Sequence, residues 1–237
     1  MIKYALHQKK TDPLQEQITI FVVMNNYNTY IFDFDYTLAD SSKGIVLCFK
    51  HVLKEHGYTN VSDEEIKRTI GMTLENSFNA LTGVADKEKL SIYVNEYVKK
   101  ADTCMTDNTI LFPETAKVLK SLKDSGNKIG IVSTKFRYRI KEVLEREFDD
   151  DLIEVVVGGE DVKTHKPSPE GLFLAIDQLN SDKSNCLYIG DSTIDAAAAQ
   201  AAGVDFYGVL NGATTREELE KHPNIIIAQD LTNLIYI

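Results

Sequence analysis

Two carboxylates, Asp33 and Asp35, stand two residues apart at the exit of the apolar run Tyr30-Ile31-Phe32. Side chains two apart on an extended chain point the same way, so both acids converge on one place. Crowded acids at the end of a buried strand resist ionising together unless a cation or a shared proton relieves them. Taken alone, Asp33-Phe34-Asp35-Tyr36-Thr37 also fits an acidic turn that closes a strand. The rest of the chain weighs against that plain reading.

Three further pieces follow in order. Lys128 to Val132 reads as a strand ending in Ser133-Thr134-Lys135. Val155-Val156-Val157-Gly158 reads as another, with Lys166-Pro167-Ser168-Pro169 shortly after it. Cys186-Leu187-Tyr188-Ile189-Gly190 is a further strand, ending in Asp191 and followed by Asp195. Each polar group falls at or just beyond the C-terminal end of a predicted parallel strand. That edge is where open α/β sheets bind ligands.

Helical patterns fill the space between the first two pieces. Ser41-Ser42 can cap a helix through Val46, Phe49, Val52 and Leu53 that stops at Gly57. Ser62 and Glu65 have the spacing of a capping box. Thr73 to Leu81 and Asp86 to Asp102 supply two more helices, the last with Leu90, Val94, Tyr97 and Val98 on one face. Beyond Leu111, strands and helices alternate. Pro113 opens a helix to Asp124, Phe136 to Glu147 follows the second strand, and Ser168 caps Pro169 to Leu179. The Ala-rich helix Ala196 to Ala202 stops at Gly203, and Phe206 to Val209 and Ile225 to Ile227 are the last predicted strands. The fold class is α/β: a Rossmann-like parallel sheet with helices on both faces, plus an inserted α-helical unit.

D-x-D-x-T at Asp33 to Thr37, a strand-end Ser133, Lys166 before Pro167, and G-D-x-x-x-D at Gly190 to Asp195 together resemble the haloacid dehalogenase-like superfamily of phosphohydrolases. The resemblance runs from about Tyr30 to the C-terminus and is nearest to the phosphoglycolate phosphatase-like branch. It implies a core of residues 28–42 and 111–237 with an α-helical cap of residues 43–110. It also implies a Mg²⁺-dependent enzyme working through an aspartyl-phosphate on Asp33, with Asp35 as acid and base and, through its backbone carbonyl, a metal ligand. Asp191 would supply another carboxylate to the metal. Asp195 would ligate through water or hold Lys166. Lys166 would offset the charge of nucleophile and phosphate, and Ser133 would donate to a phosphoryl oxygen. Thr134 is a further candidate substrate contact, and Thr37 would fix the loop after the nucleophile through its hydroxyl. Lys135 and His165 are weaker candidates. Singly, these residues have plainer readings: Lys166 as a loop lysine, Ser133 or Thr134 as a helix cap, Asp191 and Asp195 as helix-start acids.

One position departs from the family pattern. Tyr36 stands where the family usually has Gly, so either that residue has ordinary backbone angles or the loop is reshaped. Thr69 to Leu74 resembles the specificity loop of the branch. The absence of Arg and Lys between Ile70 and Phe78 argues against a clamp for a second phosphate in that loop. The alternatives are a phosphotransferase of the β-phosphoglucomutase type, a pyrophosphatase or nucleotidase on the same scaffold, and a non-catalytic binding module. Dehalogenation is disfavoured because Asp35 is present. Phosphonate cleavage is disfavoured because nothing marks a Schiff-base lysine.

Composition narrows the partners. With 36 acidic and 26 basic residues the net charge is −10, and without a basic stripe the chain is not suited to nucleic acid. Three scattered cysteines and no zinc spacing among the five histidines point to a reducing cytoplasm without a disulfide framework. Ile18 to Met24 is apolar but far too short to span a membrane. Residues 1–27 read as a dispensable N-terminal extension, with Ile18 to Met24 either an extra edge strand or part of a non-native leader, Met24 then being the true start. The expected partner is a small phosphorylated metabolite, with no nucleic acid and no membrane, and the chain is expected to be a monomer or homodimer.

Overall fold

Short apolar runs buried on both faces make the central sheet, as parallel strands require. The computed structural model describes residues 26–149 and 152–236. Its strands are β1 (Thr29–Phe32), β2 (Ala39–Asp40), β3 (Ile110–Leu111), β4 (Lys128–Val132), β5 (Val155–Val157), β6 (Cys186–Gly190), β7 (Asp205–Val209) and β8 (Ile226–Ala228). Six of these form one sheet in the order β5-β4-β1-β6-β7-β8, every pair parallel. β1 lies inside it, and Phe32 is level with both Ile131 and Ile189. One or two residues past this level, Asp33, Ser133 and Asp191 therefore meet on one rim. The amide of Asp33 continues the ladder by donating to Ile189 O at 2.8 Å.

Alternation along β1 divides the core. Tyr30 and Phe32 join Ile131, Leu187 and Ile189 in one apolar cluster, whereas Ile31 joins Val132, Tyr188 and Phe206 in another on the opposite face. Tyr27 falls inside the segment read from sequence as an extension. It is buried in the first cluster, and its hydroxyl donates to Asp205 Oδ2 at 2.8 Å. The core thus begins at least one residue earlier than expected. The predicted apolar stretch Ile18 to Met24 lies outside the described residues.

Four helices separate β2 from β3: α1 (Ser42–Glu55), α2 (Asp63–Lys67), α3 (Leu74–Thr82) and α4 (Lys87–Ala101). They close around a third cluster drawn from residues between Ile45 and Met105. At its centre Phe78 has ring centroids 4.7 Å from Phe49 and 5.4 Å from Tyr93. Local chemistry sets the helix ends. Ser62 and Glu65 form the capping box, and Thr73 and Asp86 cap α3 and α4. The start of α1 differs from expectation: Ser41 makes no side-chain cap bond, and the carboxylate of Asp40 accepts from Ser42 N at 2.8 Å. A carboxylate reaching a free first-turn amide also suits the positive end of the helix dipole. The chain enters and leaves this block side by side, because β2 and β3 pair antiparallel, Ala39 with Leu111 and Asp40 with Ile110.

The remaining helices cover the sheet. α5 (Thr115–Asp124) and α6 (Arg137–Glu147) lie on the face of Tyr30 and Phe32, while α7 (Glu170–Gln178) and α8 (Thr193–Ala202) lie on the other; α9 (Arg216–Leu219) is a short turn. α5 starts two residues beyond Pro113, where the Thr115 hydroxyl donates to Leu38 O at 2.8 Å. Buried Ala196, Ala199 and Ala202 let α8 approach the strands closely, and left-handed Gly203 (φ 69°) ends it. Neither Ser133 nor Thr134 caps α6. The carboxylate of Glu160 accepts from Arg137 N at 2.9 and 3.0 Å.

Leu187 is fully buried in β6 between β1 and β7. Leu187→Ala should lower stability by about 2–5 kcal/mol through lost transfer energy and a residual cavity. Urea unfolding checks this; a loss below about 1 kcal/mol would mean that the sheet repacks without a void.

Candidate active site

Lys166 reaches the sheet rim from the loop before α7. Its Nζ lies 2.9 Å from Asp33 Oδ1 and 2.6 Å from Asp195 Oδ1, and it donates to the Tyr188 hydroxyl at 3.2 Å. Asp33 is an ion pair without an aligned hydrogen bond, and the aligned acceptors of the three ammonium protons are Asp195 Oδ1, the Tyr188 hydroxyl and Val132 O at 3.5 Å. Asp195 is equally committed. Its Oδ1 also lies 2.9 Å from the Tyr188 hydroxyl, and its Oδ2 accepts from the amide (3.1 Å) and hydroxyl (2.5 Å) of Ser192. The reciprocal bond from Asp195 N to Ser192 Oγ makes this the capping box of α8. One motif therefore starts a helix and aims a carboxylate at a lysine.

Asp33, Asp191 and Asp195 are buried, and each offers an oxygen within 4.8 Å of the others. Asp191 packs against backbone: a Cβ at Gly212 would overlap Asp191 Oδ2, and Gly190 leaves only 2.6 Å to Asp195 Cβ. Glycine at both positions keeps the acids where they are. The Thr37 hydroxyl, fully buried, reaches Asp191 Oδ1 at 3.5 Å instead of bracing its own loop. That loop is held by its backbone, with Leu38 N and Ala39 N both donating to Phe34 O. Tyr36 takes the left-handed conformation itself, at φ 61°. The usual glycine geometry survives, at a strain of about 1–2 kcal/mol.

A profile for the haloacid dehalogenase-like hydrolase family matches residues 30–209. The chain belongs to that family. A pyrophosphatase PpaX from Bacillus pumilus is 31% identical over 210 residues, spanning 89% of this chain and 95% of that protein. A phosphoglycolate phosphatase from Colwellia psychrerythraea is 28% identical over 81% of this chain and 88% of its own length. A solved Bacteroides fragilis structure, described as a haloacid dehalogenase-like hydrolase, is 54% identical with a TM-score of 0.87, covering 88% of this chain and all of that one. The chain is accordingly an enzyme, a hydrolase in a family whose named relatives cleave phosphate compounds.

The electrostatics of this hydrolase follow from burial. Burial pushes the Asp33 carboxyl up to about 6; Lys166 pulls it down, and Asp195 and Asp35 push it up again. Burial, then Asp195 and Asp33, hold Asp191 well above the ordinary carboxylate range. Burial alone would discharge Lys166, but Asp195 and Asp33 outweigh it and hold its pKa above the usual value. The donor set fits a hard divalent cation such as Mg²⁺. All donors are carboxylate oxygens, Asp33 Oδ1 has no aligned hydrogen bond, and one ammonium faces three acids. Asp33 and Asp191 keep oxygens for such an ion, while the oxygens of Asp195 are already taken.

Beside these acids lies a cavity of about 560 Å³ between the rim and the helical block. Asp35, Thr134, Lys135 and Lys166 line its floor, and Phe49, Val94 and Met105 are among the apolar residues of its roof. The Asp35 carboxylate accepts from Lys135 Nζ at 2.8 and 3.2 Å. The Ser133 hydroxyl accepts from Lys135 N at 3.3 Å, and the Thr134 hydroxyl donates to Gly71 O of the helical block at 3.3 Å. Thr37 and Ser133 do not border this cavity; Ser133 borders a smaller recess beside it. Sequence reasoning gave Lys135 little weight and passed over Tyr188 and Ser192. A lone phenol in the run Cys186 to Gly190 was the available signal for Tyr188.

Metal and protons should compete here. In the metal-free protein the raised Asp33 and Asp191 bind more protons than the unfolded chain does once pH exceeds the ordinary carboxylate range. Their effect is therefore to lower stability as pH climbs through about 6. Millimolar Mg²⁺ should then raise Tm more at pH 8 than at pH 5, by at least about 3 °C. A pH-independent shift in a thermal melt would count against an ion seated on these acids.

Proposed function

We propose that the protein is a Mg²⁺-dependent phosphatase that hydrolyses a small phosphate monoester through an aspartyl-phosphate on Asp33. The observation that carries this reading is the joint placement of Asp33, Lys166 and Asp191 on one rim, with Lys166 and Asp35 bordering the neighbouring cavity. An anionic nucleophile must meet an anionic phosphoryl group, so positioning and charge compensation supply most of the catalysis. Lys166 sits on Asp33 and keeps it ionised and oriented for in-line attack on phosphorus. Asp35, two residues on and facing the cavity, is in place to give a proton to the departing alkoxide and to take one from the water that cleaves the acyl-phosphate. The Ser133 hydroxyl keeps its own proton for a phosphoryl oxygen, since its one described bond is accepted. Asp195 acts through Lys166, and Thr37 through Asp191.

Asp33 and Asp191, with the main chain of Asp35, would hold Mg²⁺. Bound there, it would neutralise charge on the phosphoryl oxygens. Residues 43–110 act as a cap whose Gly71 loop, bonded to Thr134, excludes water from the reacting centre. The substrate is a small phosphorylated metabolite in the cytoplasm. Among the described residues no helix is long and apolar enough to cross a membrane. A pyrophosphatase is the second reading, supported by the 31% identical PpaX relative.

A phosphate-release screen with and without Mg²⁺ across phosphoglycolate, sugar phosphates, nucleoside monophosphates and pyrophosphate tests both readings. Asp33→Asn should reduce turnover at least about 10³-fold and leave the thermal melt cooperative, because an amide is a poor nucleophile. Turnover near wild type in that variant would remove Asp33 from the reaction.

A further inference from the structure

Four cationic side chains other than His165 border the cavity, and among them Lys135 is the one bonded to the acid/base Asp35. Lys166 donates to Asp195, Tyr188 and Val132 O and is ion-paired with Asp33. Arg139 is paired with Asp102 at 2.7 Å and donates to Val98 O at 3.0 Å, both in the helical block. Lys163 is exposed at the mouth. Lys135 is different. Its side chain is 6% exposed, its backbone is pinned by bonds to Ser133 Oγ and from Gly159 N, and its ammonium rests on the carboxylate of Asp35. Both of its hydrogen bonds go to that one carboxylate, so of three N–H groups at least one remains for a ligand.

We infer that Lys135 is a specificity-determining residue that selects phosphate compounds whose leaving group carries an anion close to the bridging oxygen. The inference rests on the proposed role of Asp35. If Asp35 meets the leaving oxygen, the Lys135 ammonium, 2.8 Å from the same carboxylate, stands beside the atoms attached to that oxygen. An acceptor bonded to Lys135 can then lie as near as roughly 3–5 Å to the leaving oxygen, the two being linked by three hydrogen bonds folded round one carboxylate. A carboxylate one carbon from the ester fits that span, and so does a leaving phosphate. A neutral hydroxyl at the same place would gain only an ion–dipole bond, without the attraction between opposite charges that a carboxylate adds in a poorly solvated site. The absence of Arg and Lys from Ile70 to Phe78 leaves this anion to the floor of the cavity rather than its roof.

The test compares kcat/KM for 2-phosphoglycolate and 2-hydroxyethyl phosphate, which match in length and differ in the charge of the leaving group. Wild type, Lys135→Met and Lys135→Arg are measured with Mg²⁺, each after a thermal melt. Wild type should prefer the carboxylate. The preference ratio should fall roughly 10- to 100-fold in Lys135→Met, largely through KM, and recover in part in Lys135→Arg. An effect of the substitution on Asp35 alone is common to both substrates and cancels in the ratio. Equal losses on both would reduce Lys135 to a counter-ion of Asp35 and overturn the inference. A wild type without preference would overturn it without any variant. A wild type that hydrolyses neither of these nor any other phosphate ester would instead fail the phosphatase reading, and the inference with it.

Discussion

The ammonium of Lys166 is the keystone of the sheet rim. Asp33, Asp191 and Asp195 are buried within hydrogen-bonding range of a common point, and among the described residues one cation, Lys166, is ion-paired with them. Breaking a buried pair by removing one partner costs about 3–5 kcal/mol, because the charge left behind has no solvent. The rest of the arrangement serves that contact. The capping box of α8 turns Asp195 toward Lys166, Tyr188 fills a second donor position, and Gly190 lets Asp195 lie against the strand. A helix start, a strand side chain and a glycine thus converge on one ammonium.

The remaining excess of negative charge gives the site its chemistry. Burial raises Asp33 and Asp191, and at Lys166 the acids Asp195 and Asp33 outweigh burial and raise it too, so one environment favours the protonated form of all three groups. Groups perturbed in this way, clustered in a cleft, mark a functional site on physical grounds. The left-handed Tyr36 points the same way. Strain at a turn next to reacting groups persists only where the surroundings over-determine it, and here Tyr36 N is fixed by Ala39 O at 2.7 Å.

Much of this was legible in the sequence because strand ends are read by residue type. Tyr30 to Phe32, Lys128 to Val132 and Cys186 to Gly190 are apolar runs with a polar stop, and parallel register brings the stops together. Helix ends were legible where the signal was a side-chain cap at the start, as at Ser62 and Thr73, or a glycine at the end, as at Gly57 and Gly203. Ends set at a distance were not. The cap of α6 comes from Glu160, twenty-three positions along the chain, and the start of α5 is tied to Leu38. For the same reason Lys135 looked like a loop lysine beside Ser133, since its partner Asp35 is a hundred residues away. The hydroxyl of Thr37 turned to Asp191 rather than to its own loop, because backbone amides had already filled the acceptor on Phe34.

The pairing of β2 with β3 bears on how freely the helical block can vary. The two segments that tie the helical block to the sheet are neighbours in a ladder, Asp40 beside Ile110. A ladder of that kind needs only a two-residue reverse turn to close it. The block therefore occupies the place of a hairpin tip. A change in its length there would leave the strand order and the rim acids untouched, because the chain re-enters the sheet beside the point where it left.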